Sequence, residues 1–147
     1  MTSKINIENR KARFDYEFLD TYTAGIVLHG YEVKSIRNGD INMSDSYCIF
    51  EDDELYLKNM HISPYKDKGM YNDYDPKRDR KLLLTKHELR RLHQSVKTKG
   101  LTIVPVRMYS NEKNLMKVSI ALAKGKHTYD KSKSIKERDL NREMKNI

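Results

Sequence analysis

The sequence has one cysteine, three prolines, six glycines and no tryptophan among its 147 residues. A single thiol cannot form an internal disulfide, which excludes a stapled secreted scaffold. Cys48 lies in an apolar, strand-like run and reads as a small buried hydrophobe. No apolar stretch approaches the roughly 20 residues that a spanning helix needs, and residues 1–13 are polar and basic, unlike a signal peptide. A cytoplasmic protein with no membrane association is therefore expected, and the sequon-like Asn42-Met43-Ser44 is a chance match. No phosphate-binding loop, dinucleotide fingerprint or nucleophile elbow occurs. The histidines (His29, His61, His87, His93 and His127) are scattered, without Cys, Asp or Glu at metal-ligand spacing. Asp73 and Asp75 lie in a segment rich in Asp and Asn and read as turn formers. No metal, no cofactor and no enzymatic centre is expected.

What is abundant is positive charge. Lys and Arg number 29 against 21 Asp and Glu, a net charge of +8, which favours a polyanionic partner. The cations gather at Arg10-Lys11-Ala12-Arg13, at Lys77-Arg78-Asp79-Arg80-Lys81 and from residue 124 onward. A charge run is usually only a solvated face. Three such runs in a small chain, interleaved with Tyr65, Tyr71, Tyr74 and Tyr129, point to RNA, the cations meeting phosphates and the tyrosines stacking on bases.

The hydropathy pattern gives one domain, mainly β with short helices. Residues 14–28 read as the first strand region, and 30–38 as a short helix closed by Gly39. Residues 46–50 and 54–60 form a hairpin around the acidic turn Glu51-Asp52-Asp53, and 62–80 should be irregular surface. Thr85 and Glu88 make a capping box, flanked by the hydrophobic staple Leu84 and Leu89. This helix should bury Leu89, Leu92 and Val96 and run to about Lys99, with Gly100 as its stop. Residues 101–109 and 115–123 are strands; in the second, Val118, Ile120 and Leu122 alternate with Lys117, Ser119 and Ala121, a core face and a wet face. Without a βαβ rhythm, an antiparallel barrel of OB type with flanking helices fits best. The body is 1–123. The tail, 124–147, has eight basic and four acidic residues, so +4 of the total +8. Ser134 and Glu137 could cap a helix there, but Ile135, Leu140, Met144 and Ile147 are too few to hold one without a partner.

From Asn9 to Asp139 the chain resembles the SsrA-binding protein family. The resemblance is carried by Asn9-Arg10-Lys11-Ala12-Arg13, Ala24-Gly25-Ile26, Glu32-Val33-Lys34-Ser35-Ile36-Arg37, Asp45-Ser46-Tyr47, Asn59-Met60-His61-Ile62-Ser63-Pro64-Tyr65, Asp75-Pro76, Arg80-Lys81-Leu82-Leu83-Leu84 and Ile135-Lys136-Glu137-Arg138-Asp139. It implies an OB-fold chaperone, not an enzyme, that grips the tRNA-like domain of transfer-messenger RNA and enters stalled ribosomes for trans-translation. Elongation factor Tu and alanyl-tRNA synthetase would meet it only through the RNA, and a monomer is expected. The expected RNA contacts are Asn9, Arg10, Lys11, Arg13, Thr23, Lys81, Leu83, Thr85 and Lys117. Those expected at the decoding centre and mRNA channel, with small-subunit ribosomal RNA, are Tyr129, Asp130, Lys131, Lys133, Ile135, Lys136 and Arg138, the tail being disordered when free and helical when bound.

By composition alone Leu83 reads as core and Lys117 as the wet side of a strand. Three positions depart from the family pattern: Thr23 replaces Glu, Thr85 replaces Asn or His, and Ser132 replaces Arg. The competing readings are a permanent ribosomal component or assembly factor, and an RNA-processing enzyme, for which no acid-base or metal centre is present in the pattern.

Overall fold

The computed structural model describes residues 4–64, 74–97 and 100–126. Along the chain lie β1 (Asn6–Glu8), α1 (Arg10–Asp15), β2 (Tyr16–Ile26), α2 (Gly30–Arg37), β3 (Ile41–Asn42), β4 (Tyr47–Glu51), β5 (Glu54–Lys58), β6 (His61–Ile62), β7 (Arg80–Leu83), α3 (Lys86–Val96), β8 (Leu101–Ser110) and β9 (Met116–Gly125). The main sheet has the order β1-β8-β4-β5-β7-β2-β9, and β9 returns to β8, so the strands close into a ring with β1 added at one end of β8. All pairings are antiparallel, and β3 pairs separately with β6.

Inside the ring, Leu55, Leu57, Leu82, Met108, Val118 and Ile120 are completely buried. Leu92 of α3 joins them, with Leu89 and Val96 packed alongside, so the amphipathic helix covers part of the same core. Its start is set by the expected reciprocal pair: Glu88 N donates to the Thr85 hydroxyl (3.1 Å) and Thr85 N to the Glu88 carboxylate (3.0 Å). Between β4 and β5, Asp52 and Asp53 both adopt positive φ (52° and 65°). Paired left-handed residues turn a tight hairpin with the twist that its strands require, and Asp tolerates that conformation better than most side chains. Gly39, at φ 80°, follows α2 as the pattern predicts.

Several boundaries move. The region 14–28 is not the first element, because β1 and α1 precede it and β2 begins at Tyr16. α1 is short and buries only Ala12, so it carries almost no periodic signal. It packs Ala12 against Val104 and Ala123, with Tyr16 and Phe18 around them. The supposedly wet face of β9 is dry at Ala121 and, under α1, at Ala123, and open only toward Lys117 and Ser119. β9 also runs two residues past the expected 123, and Lys126 N still donates to Asp15 O (3.0 Å). α3 ends at Val96, with Lys97 as its cap, short of Lys99. Gly100, at φ 86°, instead leads into β8.

The largest correction concerns 62–80, expected to be irregular surface. Ile62 lies in β6, Arg80 opens β7, and Arg80 is fully buried beside an equally buried Glu32. Arg80 Nη2 is 2.7 Å from Glu32 Oε2, and Arg78 Nη2 is 2.6 Å from Oε1. His29 N donates to the same carboxylate (2.8 Å). Arg80 also donates to the carbonyls of Met60 (2.6 Å) and Pro76 (3.1 Å) and to the Tyr74 hydroxyl (3.2 Å), which itself donates to Ile62 O (2.9 Å). Tyr74, expected to be exposed for stacking, is thus a half-buried part of this network.

Burial alone would push the Glu32 carboxyl up, but hydrogen bonds from Arg78, the His29 backbone and Arg80 outweigh it and hold the group at about 2. A carboxyl lowered from its ordinary 4.5 to about 2 on folding stabilises the native state by about 3 kcal/mol at neutral pH. That contribution is fully present above pH 4.5 and disappears as pH falls toward 2. Equilibrium denaturation should show stability dropping across this window, and Glu32→Gln should flatten that part of the profile. Arg80→Ala should cost about 3 to 5 kcal/mol at pH 7, because it strands a buried carboxylate with too few donors.

Candidate nucleic-acid interface

Three strands bring the expected contacts into one row. Gly25 of β2 lies opposite Leu83 of β7 on one side and Lys117 of β9 on the other. Directly paired residues share a sheet face, so Leu83, Gly25 and Lys117 form a line across the outer surface of the ring. Gly25 keeps that line low: a Cβ there would sit 3.3 Å from the Leu83 Cβ. Leu83 is 51% exposed, which overturns its reading as core, and Lys117 is partly exposed on the open side of β9. Two residues along each strand, on the same face, are exposed Thr23, opposite Ser119, and partly exposed Lys81. Lys81 lies 3.8 Å from Glu54. Thr85, also exposed, lies just past the end of β7 as the cap of α3, where its hydroxyl accepts from Glu88 N (3.1 Å).

The N-terminal cluster occupies the same outer face farther along. Lys117, Ser119, Ala121 and Ala123 alternate on one side of β9, and α1 covers Ala123, about 20 Å from Lys117 at strand rise. Asn9 places that helix. It is 4% exposed, its Nδ2 donates to the carbonyls of Met43 (3.1 Å) and Pro105 (2.9 Å), and its Oδ1 accepts from Ala12 N (3.2 Å). Arg10 is exposed. Lys11 meets Asp45 (3.2 Å) and Asp15 (3.8 Å), and Arg13 meets Glu8 (2.9 Å). Hydrogen bonding to Asp45 pushes the Lys11 amine up, so it stays charged. These are surface pairs of the kind worth little to stability; they hold cations in place without burying them.

The second basic cluster is mostly not an interface. Arg80 is interior, Arg78 is committed to Glu32, and Asp79 holds Lys58 at 2.7 Å. Lys77 and Lys81 remain outward. The sequence pattern reads Lys77 to Lys81 as one basic cluster for phosphates; alternation from Arg80 through Leu82, both buried, with Lys81 and Leu83 outside, was the signal for a strand. Asp75 does serve a turn, accepting from Lys77 N (3.0 Å). Among the described residues no group of three His, Cys, Asp or Glu side chains could hold a metal ion, and no helix is long and apolar enough to cross a membrane. Tyr65, Tyr71, Asp73 and the tail positions Tyr129, Asp130, Lys131, Ser132, Lys133, Ile135, Lys136 and Arg138 lie outside the described residues.

An outer face with one lysine, one exposed leucine and a close-approach glycine in register, flanked by an arginine- and lysine-bearing helix, suits the backbone and bases of a folded RNA. Comparison with known proteins agrees. A family model described as SmpB protein matches residues 6–147. The SsrA-binding protein of Phocaeicola vulgatus is 58% identical over 140 residues, covering 95% of this chain and 93% of the relative. That of Thermus thermophilus is 51% identical over 141 residues, covering 96% and 97%. A solved structure described as "tmRNA-SmpB: a journey to the center of the bacterial ribosome" matches with a TM-score of 0.70 at 56% identity, over 86% of this chain and 87% of that one. With a match across nearly its whole length, the chain belongs to the SmpB family of SsrA-binding proteins.

Proposed function

We propose that this protein binds the tRNA-like domain of transfer-messenger RNA on the outer face of β9, β2 and β7 and carries it into stalled ribosomes for trans-translation. The observation that carries this reading is the Lys117–Gly25–Leu83 row. Lys117 supplies a phosphate contact, Leu83 an apolar surface for a base, and Gly25 the room for both. Thr23 contributes a hydroxyl where the family pattern has a carboxylate, so it can donate as well as accept a hydrogen bond. Asn9 acts by fixing α1, which presents Arg10, Lys11 and Arg13 to phosphates. The closed antiparallel ring serves as an OB barrel. The protein works by binding in the cytoplasm as a monomer, without a cofactor, and meets elongation factor Tu and alanyl-tRNA synthetase only through the RNA.

The tail, 124–147, is the second working part. It carries +4 with little apolar residue content, a composition that orders on a polyanionic surface rather than alone. Small-subunit ribosomal RNA lining an empty mRNA channel is such a surface, and a channel filled by message would exclude the tail.

Lys117→Ala should weaken binding to a transcript of the tRNA-like domain by about 1 to 3 kcal/mol and lower the slope of log affinity against log salt by about one, with no change in melting temperature. Unchanged affinity in filter-binding titrations at several salt concentrations would remove Lys117 from the interface. Gly25→Val should weaken the same binding by displacing Leu83, while Leu82 and the core beneath remain packed.

A chain ending at Lys126 should fold and bind the RNA almost normally, since Lys126 N and Nζ close the last contacts with Asp15 O and Arg13 O. It should fail to support tag addition on ribosomes stalled on truncated message. Helix-breaking Lys136→Pro should reproduce much of that failure. Normal tagging by the shortened chain would contradict the role given to the tail.

A further inference from the structure

The row of Leu83, Gly25 and Lys117 continues across β8 to β1. Tyr109 lies opposite Lys117, and Asn6 of β1 lies opposite Tyr109. One row over, Arg107 lies opposite Ser119 and Glu8, and Ser119 lies opposite Thr23. The Arg107 guanidinium carbon sits 4.0 Å from the centroid of the Tyr109 ring, and Nη1 donates to Asn6 Oδ1 at 2.9 Å. The carboxylate nearest in register, Glu8, is taken by Arg13 at 2.9 Å. Arg107 is therefore held by a ring and a neutral amide, and its charge is left for another partner.

A partly exposed cation-π pair adds only modestly to folding, yet here a separate strand contributes a side chain that fixes the guanidinium. Of that strand only Ile7 packs on the core, while Asn6 and Glu8 face outward. The guanidinium carbon lies over the Tyr109 ring, close enough for the two planes to stack. Bases of unpaired RNA stack on arginine planes as readily as on aromatic rings, and a plane already immobilised loses less freedom on binding. Resting on the assignment of RNA to the neighbouring row, we propose that Arg107, stacked on Tyr109 and pinned by Asn6, is a pre-built platform for one unpaired nucleobase of the RNA bound beside Lys117. Lys117, directly opposite Tyr109, would meet a phosphate flanking that base.

The test uses the full-length protein and transcripts of the tRNA-like domain in which each unpaired nucleotide in turn is made abasic. Wild type should lose about tenfold in affinity at one abasic position. Arg107→Lys, which keeps the charge and removes the plane, should lose about tenfold on intact RNA and nothing further at that position, with its salt slope and melting temperature unchanged. Asn6→Ala, which frees the guanidinium without deleting it, should fall between the two. Binding of Arg107→Lys at the wild-type level, or an equal loss on every abasic transcript, overturns the platform. Lys117→Ala measured in parallel separates the two ideas: if it weakens binding while Arg107→Lys does not, only the platform is wrong. If neither variant matters, the RNA does not lie on this face and both fail together.

Discussion

A carboxylate sealed from water stays ionised only while its donors stay with it, and Glu32 is sealed completely. Its donors come from α2's own entry at His29 and from Arg78 and Arg80. Arg80 in turn collects the carbonyls of Met60 and Pro76, which belong to the chain on either side of the undescribed 65–73 stretch. One buried pair therefore ties a helix, a strand and both ends of a long connection together. It also sets the inward phase of β7. With Arg80 and Leu82 turned into the core, Lys81 and Leu83 must face out, and pairing with β2 puts Leu83 opposite Gly25. A well-packed apolar pair of similar volume could give equal stability, but it would not gather so many separate carbonyls and hydroxyls into one arrangement.

Closure of the ring has a second consequence. The strands that form it have one inner face, filled by side chains, and one outer face that is either covered or available. α1 covers the outer face of β9 at Ala123, and Asn9 fixes α1 by spending its amide on Met43, Pro105 and Ala12. What remains open on β9 is the Lys117 end. The helix closes one end of that face, about 20 Å at strand rise from the Lys117 end that stays free, and its own cations are exposed beside it.

Where the physics is local, the sequence was readable. The Thr85 and Glu88 capping box, the Gly39 stop and the Asp52-Asp53 turn each depend on a few adjacent residues and appear as expected. The alternation of β9 was legible as far as Ser119 and failed beyond it, because at Ala123 the dryness comes from Ala12 of α1, more than a hundred residues away. β1, β3 and β6 are too short to show a period, and pairing alone defines them. β7 was missed because its first residue is an arginine, and no single-residue scale places an arginine at zero exposure. The site followed the same rule. Composition assigned Leu83 to the core; the family resemblance assigned it to RNA; only the register with Gly25 gives a physical reason for its exposure.

Charge was legible in amount and not in placement. The chain carries +8, yet the run from Lys77 to Lys81 spends Arg78 and Arg80 on Glu32, and Lys58 is fastened between Glu51 and Asp79, both at 2.7 Å. Those donors raise fold specificity and leave the polyanion to others. On the body Arg10, Lys11, Arg13, Lys77, Lys81, Arg107 and Lys117 are among the cations at least partly open to solvent, and several of the outward cations are held by a carboxylate at the surface. Such pairs are weak and screened, so a phosphate can replace the carboxylate at little cost. The tail, with eight cations against four carboxylates, holds half of the net charge in 24 residues. A body whose cations are oriented beforehand suits recognition of one folded RNA by shape.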